Sequence, residues 1–260
     1  MRTQSRDITV AWHEVGRGEP LVLVHGLADD HRAWRRALPN LVLRRHVLLY
    51  DFRGHGETEL GRAGGTLQQL ADDLVAWIDA IGLARAAIAG FSLGGTIAMR
   101  AAIDHPERIE SLVLVATSSR VGRGAADWYR ERAEMVDRDD PSLRVALEAD
   151  TAQVYASAPG ELEEGLRIRR DSTRDPRGYA NACRAMHGLS QSPLDPELAR
   201  IKAPALVIAG ADDANCPPRA GEIIAAGIVG SRLEVIPETG HAIPVERGDA
   251  VARLILEHTA

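Results

Sequence analysis

Lysine is almost missing from this chain: Lys202 is the only one among 31 basic residues, so nearly all the positive charge is arginine. That bias reads as genome composition before function. An excess of positive charge is missing as well, because the formal net charge is −6. Such a balance argues against a general nucleic-acid surface and leaves a small molecule as the expected partner. Cysteine is scarce. Cys183 and Cys216 are far apart, lie in no metal-spaced cluster and are too few to frame a secreted fold. A reducing compartment and a cytoplasmic protein are therefore expected. No apolar run approaches a membrane span, and the start, Met1 to Asp7, lacks the apolar core of a secretory leader. What remains is 260 residues, 45% apolar and 26% charged, enough for one large core with a modest insertion.

The apolar residues fall into alternating strand-like and helix-like stretches. Ile8, Val10 and Trp12 alternate with polar neighbours, which predicts a half-buried antiparallel strand or hairpin at a sheet edge. Leu21 to Val24, His46 to Tyr50, Arg85 to Ala89, Ile109 to Val115 and Ala203 to Gly210 read as strands buried on both faces. A last short strand is expected over Ser231 to Ile236. Between them, Thr66-Leu-Gln-Gln69 has the form of a capping box, and Leu67, Leu70, Leu74, Ile78 and Ile81 follow at helical spacing before Gly82. The polar turn Asp51-Phe-Arg-Gly-His-Gly56 lacks the residues of a phosphate loop and the spacing of a helical zinc site. Its Asp51 and Arg53 are expected to fix the loop by hydrogen bonds.

The chain is organised around Gly90-Phe91-Ser92-Leu93-Gly94-Gly95, which lies between a buried strand and the helical run beginning at Thr96. A strand that turns directly into a helix strains the residue at its apex and demands small residues two before and two after. Ser92 is the apex, and its hydroxyl sits at a helix N-terminus where the Leu93 N–H favours developing negative charge. His25-Gly26 at the end of an earlier strand can aim the Leu27 N–H into the same cleft, giving a second oxyanion donor. Past the strand ending at Gly210, Asp212 and Asp213 are both candidates for a carboxylate at the same sheet edge, and the offset from Gly210 favours Asp213. His241 follows the last strand. The order Ser92, Asp213, His241 is the one expected of a nucleophile, an orienting acid and a base on a strand-turn-helix architecture.

From residue 118 to 196 the texture changes. No strand-like run occurs, Arg, Asp and Glu are dense, and amphipathic helical patterns are bounded by Pro and Gly. Asp175-Pro176 marks one helix start, with Tyr179, Cys183 and Met186 on one face. This segment is predicted to be a helical lid inserted into a core of residues 1–117 and 197–260. Trp128, Tyr129, Met135, Tyr155, Tyr179, Met186 and His187 are the residues most able to line a pocket beneath it.

Five ordered motifs carry a resemblance: His25-Gly26, Asp51-x-Arg53-Gly54-His55-Gly56, Gly90-x-Ser92-x-Gly94-Gly95, Gly210-x-x-Asp213-x-x-x-Pro217 and Gly240-His241. With them the chain resembles the α/β-hydrolase superfamily over almost its whole length. Within it, the likeness extends to the 3-oxoadipate enol-lactonases and similar small esterases through Ala116-Thr-Ser-Ser-Arg-Val-Gly122, the stretch Gly178 to Met186, and Pro204 to Gly210. It departs from those lactonases at His25-Gly-Leu-Ala28 and Met186-His-Gly188. The resemblance implies an α/β fold, a mostly parallel central sheet flanked by helices, with an inserted helical lid. It also implies a serine hydrolase that opens a small ester or lactone through an acyl-enzyme, with no metal or organic cofactor; a monomer or homodimer is expected. The same scaffold hosts carbon–carbon bond hydrolases, perhydrolases, lyases, biosynthetic cyclases and ligand-binding receptors, since function does not follow from fold.

Overall fold

The computed structural model describes residues 1–260. The chain opens with a hairpin of β1 (Arg2–Ser5) and β2 (Ile8–Gly16), then β3 (Pro20–Val24), α1 (Leu38–Leu41), β4 (His46–Tyr50), α2 (Leu67–Ala80), β5 (Ala86–Phe91), α3 (Leu93–Asp104) and β6 (Ile109–Val115). Four helices follow without a strand: α4 (Arg123–Asp137), α5 (Leu143–Val154), α6 (Leu162–Ser172) and α7 (Pro176–Gly188). The chain closes with β7 (Ala205–Gly210), α8 (Pro218–Gly227), β8 (Arg232–Ile236), α9 (Ile243–Glu246) and α10 (Gly248–His258).

The strands form one sheet in the order β1-β2-β4-β3-β5-β6-β7-β8. β2 is antiparallel to both β1 and β4, and every other pairing is parallel. Alternate residues of a strand point to opposite faces. Val22, Val24, Leu112, Leu114 and Val207 accordingly join one buried cluster with Leu70, Trp77 and Ile97 of α2 and α3. Leu21, Leu23, Val113, Val115, Leu206 and Ile208 join the other, with Trp34, Leu41, Val251 and Ile255. Each fully buried Leu or Ile stabilises the fold by about 2 kcal/mol, and the double-sided burial explains why the central strands read as unbroken apolar runs.

Parallel strands present their carboxyl ends to one edge. The loops after β3, β5, β7 and β8 therefore meet there, and α4 to α7, inserted between neighbouring β6 and β7, lie over that edge. The inserted helices lie against the loop that follows β4: Gly178 in α7 approaches Gly54 so closely that a Cβ at either position would collide with the other residue's backbone.

Local detail departs from expectation at the start of α2. The Thr66 hydroxyl caps α2 by accepting from the Gln69 N–H at 3.1 Å, but the Gln69 side chain bonds to Gly64 and Arg62, so only half of a capping box forms. α8 starts at Pro218, with Pro217 as its capping position. In the Asp51 to Gly56 loop, fully buried Arg53 donates to both oxygens of Asp73 and of Asp7 and to the Leu60 carbonyl. Asp51 accepts from the backbone N–H of His31 at 2.7 Å. The loop is a brace for the sheet edge.

Candidate active site

Ser92 has φ 52° and ψ −121°, a conformation that L-residues rarely adopt. Local bonds hold it there. Its N–H donates to the Val115 carbonyl at 2.8 Å, tying the turn to β6, and its carbonyl accepts from the Thr117 hydroxyl at 2.7 Å and the Gly95 N–H at 2.9 Å. Gly94 leaves no space for a Cβ beside the carbonyl oxygens of Val24 and His25, which is why this turn packs directly on the end of β3.

The Ser92 hydroxyl lies 3.1 Å from His241 Nε2, and His241 Nδ1 lies 2.8 Å from Asp213 Oδ2. A carboxylate only accepts, so the proton of the neutral imidazole sits on Nδ1, leaving Nε2 to accept from Ser92. The second oxygen of Asp213 accepts from the N–H groups of Asn215 at 2.8 Å and Cys216 at 2.9 Å. Burial works against the charge of Asp213, but the hydrogen bond and charge of His241 and these two N–H groups outweigh it and hold the carboxyl below its usual range. Asp212 is exposed, so of the two neighbouring acids it is Asp213 that meets the imidazole.

The N–H of Leu27 has no acceptor in the protein, and Leu27 borders the same cavity as Ser92. Leu93 is the first residue of α3, where a helix leaves its N–H groups without intrahelical partners. Leu27 thus shares the cavity with Ser92, and Leu93 follows Ser92 directly in the chain.

The cavity above Ser92 holds about 260 Å³. All four inserted helices contribute to its wall. Trp128 and Tyr129 of α4 and Tyr179 of α7 line it. Four expected lining residues do not. Tyr155 packs its ring over Gly165 and joins Ala242 and Val245 in a separate cluster. Met186 points down into the core against the sheet, and the half-buried His187 uses Nδ1 to bond the Ala126 carbonyl at 3.0 Å, tying α7 to α4. Met135 lies two helical turns along α4 from Trp128, buried beyond the cavity wall, with its sulfur 3.7 Å from Arg132 Nη1. These residues glue helices together because a helix has one face for the cavity and another for its neighbours, and residue type does not reveal which.

Conversely, Asp29, Asp150, Gln153, Arg169 and Asn215 line the cavity, though the sequence pattern did not single them out. Asn215 carried a legible signal, since it lies two residues past Asp213 in a loop at the reactive edge. Asp150 and Arg169 carried none, because charges on helices ordinarily face solvent. Cys216 also borders the cavity, its thiol pushed up by burial and by the charge of Asp213. No three His, Cys, Asp or Glu side chains come together in a group that could hold a metal ion.

Residues 19–247 match the family described as the alpha/beta hydrolase fold, and the chain belongs to that family of enzymes. The 3-oxoadipate enol-lactonase 2 of Acinetobacter baylyi is 28% identical, over 95% of this chain and 91% of that one. Among solved structures, the enol-lactonase from Burkholderia xenovorans LB400 is 27% identical and superposes with a TM-score of 0.89, covering 99% of both chains. A hydrolase from Pseudomonas aeruginosa is 30% identical with a TM-score of 0.86, covering 96% of this chain and 94% of its own. No helix is long and apolar enough to cross a membrane.

Proposed function

We propose that the protein is a serine hydrolase that cleaves an ester or lactone of a small carboxylic acid through an acyl-enzyme on Ser92. The observation that carries this reading is the continuous relay from the Ser92 hydroxyl through His241 to Asp213, at 3.1 and 2.8 Å. His241 Nε2 takes the hydroxyl proton as the Ser92 oxygen attacks the carbonyl carbon, and Asp213 stabilises the imidazolium. The Leu27 and Leu93 N–H groups receive the charge on the carbonyl oxygen. Losing one such donor costs about 3 kcal/mol of transition-state stabilisation, some hundredfold in rate. As the carbon–oxygen bond breaks, the imidazolium returns its proton to the leaving oxygen, which stays tethered if the substrate is a lactone. Water then attacks the acyl-enzyme with His241 as base, releasing the acid and restoring the hydroxyl.

In this reading residues 118–196 are the lid and residues 1–117 and 197–260 the core. The two free cysteines suit a reducing, cytoplasmic setting. The enol-lactonase relatives favour a lactone as the substrate. The test is covalent labelling by a fluorophosphonate, with the modified residue located by mass spectrometry. Labelling at Ser92 and its loss in Ser92→Ala, together with loss of ester or lactone hydrolysis, is the expected result. Undiminished turnover by Ser92→Ala would mean that the chemistry does not pass through this hydroxyl.

A further inference from the structure

We propose that Arg169 reads a carboxylate on the substrate, so that the preferred ester or lactone carries its own free acid group on the acyl side. This rests on the serine-hydrolase reading above and names the substrate class for the same site.

Arg169 is on α6, lines the cavity with Ser92, and its side chain is only 12% exposed. It donates to the protein through Nε alone, to Asp29 Oδ1 at 3.2 Å. Its terminal nitrogens Nη1 and Nη2 have no acceptor, and neither is sealed off by neighbouring atoms. Two other arginines, Arg53 and Arg132, have their forks filled by carboxylates. Arg53 uses Nε and both terminal nitrogens, and Arg132 grips both oxygens of Asp150 from Nε and Nη2 at 2.8 and 2.9 Å.

A guanidinium removed from bulk water with two unmet nitrogens is costly unless something else satisfies it. The carboxylates on the cavity wall are Asp29 and Asp150, and Asp150 already has Arg132 as partner. Arg169 is therefore the one cationic group facing the cavity with its planar fork open. The ligand chemistry that matches such a fork is a carboxylate, which accepts two parallel N–H bonds. A cavity of about 260 Å³ has the volume of about nine water molecules, so the acid group stands only a short carbon chain away from a carbonyl at Ser92.

The probes are monomethyl glutarate and methyl valerate, matched in length and differing in one carboxylate against one methyl group. Binding is measured by calorimetry on Ser92→Ala and turnover by acid release on the unmodified enzyme. The expected result is roughly 10- to 100-fold tighter binding of monomethyl glutarate, with a matching preference in kcat/KM. Arg169→Gln should weaken monomethyl glutarate at least ~10-fold more than it weakens methyl valerate, and Arg169→Lys should restore part of that difference. Because Arg169→Gln strands the buried Asp29 carboxylate, the Asp29→Asn/Arg169→Gln double variant is tested beside it and should lose the preference equally. Equal affinity for the two esters, or a loss in Arg169→Gln that falls on both alike, overturns the proposal and leaves Arg169 a brace for the Leu27 loop. Binding preference is read on a protein that lacks the nucleophile, so failure of the acyl-enzyme reading registers separately, as turnover surviving in Ser92→Ala.

Discussion

Asp213 and His241 meet at 2.8 Å through one carboxylate oxygen, while the other oxygen is occupied by two backbone N–H groups of its own loop. The carboxylate is thus fixed from behind and presents a single acceptor to the ring. Asp213→Asn substitutes an amide that no longer demands a proton on Nδ1. The expected outcome is a fall in kcat of about 10⁴-fold with little change in melting temperature. Asp212→Asn, next door and exposed, should keep wild-type kcat. Steady-state kinetics and thermal melts of the two variants make the comparison.

The backbone of Ser92 is held at φ 52°, where glycine is at ease and a side chain is strained. Ser92→Gly and Ser92→Ala both remove the hydroxyl and should both be inactive. They differ in what the backbone gains. Ser92→Gly is expected to be more stable than Ser92→Ala by about 1 kcal/mol in urea denaturation, the strain relieved less the extra entropy of an unfolded glycine.

Gly94 sits where a methyl group would run into the backbone oxygens of Val24 and His25 at the end of β3. Backbone at the centre of a sheet does not yield. Gly94→Ala should lose at least ~3 kcal/mol of stability and most soluble expression. Gly124→Ala, in α4 with open space around it, should be neutral or stabilising by up to about 1 kcal/mol. Denaturant midpoints of the two variants read the contrast.

His55 is buried against Phe52 and near His25, with Nε2 unpartnered. Burial, and then the neighbouring His25, push its pKa down to about 3. In the unfolded chain the same group titrates near 6.5. Between those values the unfolded state binds the extra proton, so stability is complete above about pH 6.5 and falls as the pH drops, by about 1.4 kcal/mol per unit from this residue alone. Urea denaturation at pH values between about 7 and 5 should show the slope. His55→Leu should flatten it by that amount over the same interval.

The layout of the sheet was legible because its signals are local. Leu21 to Val24 and Leu112 to Val115 are buried on both faces and so read as strands without reference to anything else, and the Ser92 turn declares itself through its small neighbours Gly90 and Gly94. The placing of His241 and Asp213 followed from one global rule, that parallel strands end at a common edge. The inserted helices were legible as helices and not as walls. Tyr155 and Met186 are large and apolar like Tyr129 and Tyr179, yet they turn to other helices and to the core, and only the mutual packing of α4 to α7 decides which face meets the cavity. Arg169 was invisible for the opposite reason: on a helix rich in Arg and Glu nothing separates the one guanidinium turned inward from those in solvent.

The Gly54–Gly178 contact has a bearing on how this enzyme could be rebuilt. Ser92, Asp213 and His241 belong to loops of the sheet, whereas much of the wall belongs to a stretch of chain that leaves after β6 and returns before β7. A chimera carrying the corresponding stretch of a relative would exchange the wall and spare those three side chains, but only if the donor segment places glycine where Gly178 stands. Any larger residue there would lift α7 off the sheet edge, so that one seam sets which transplants can seat.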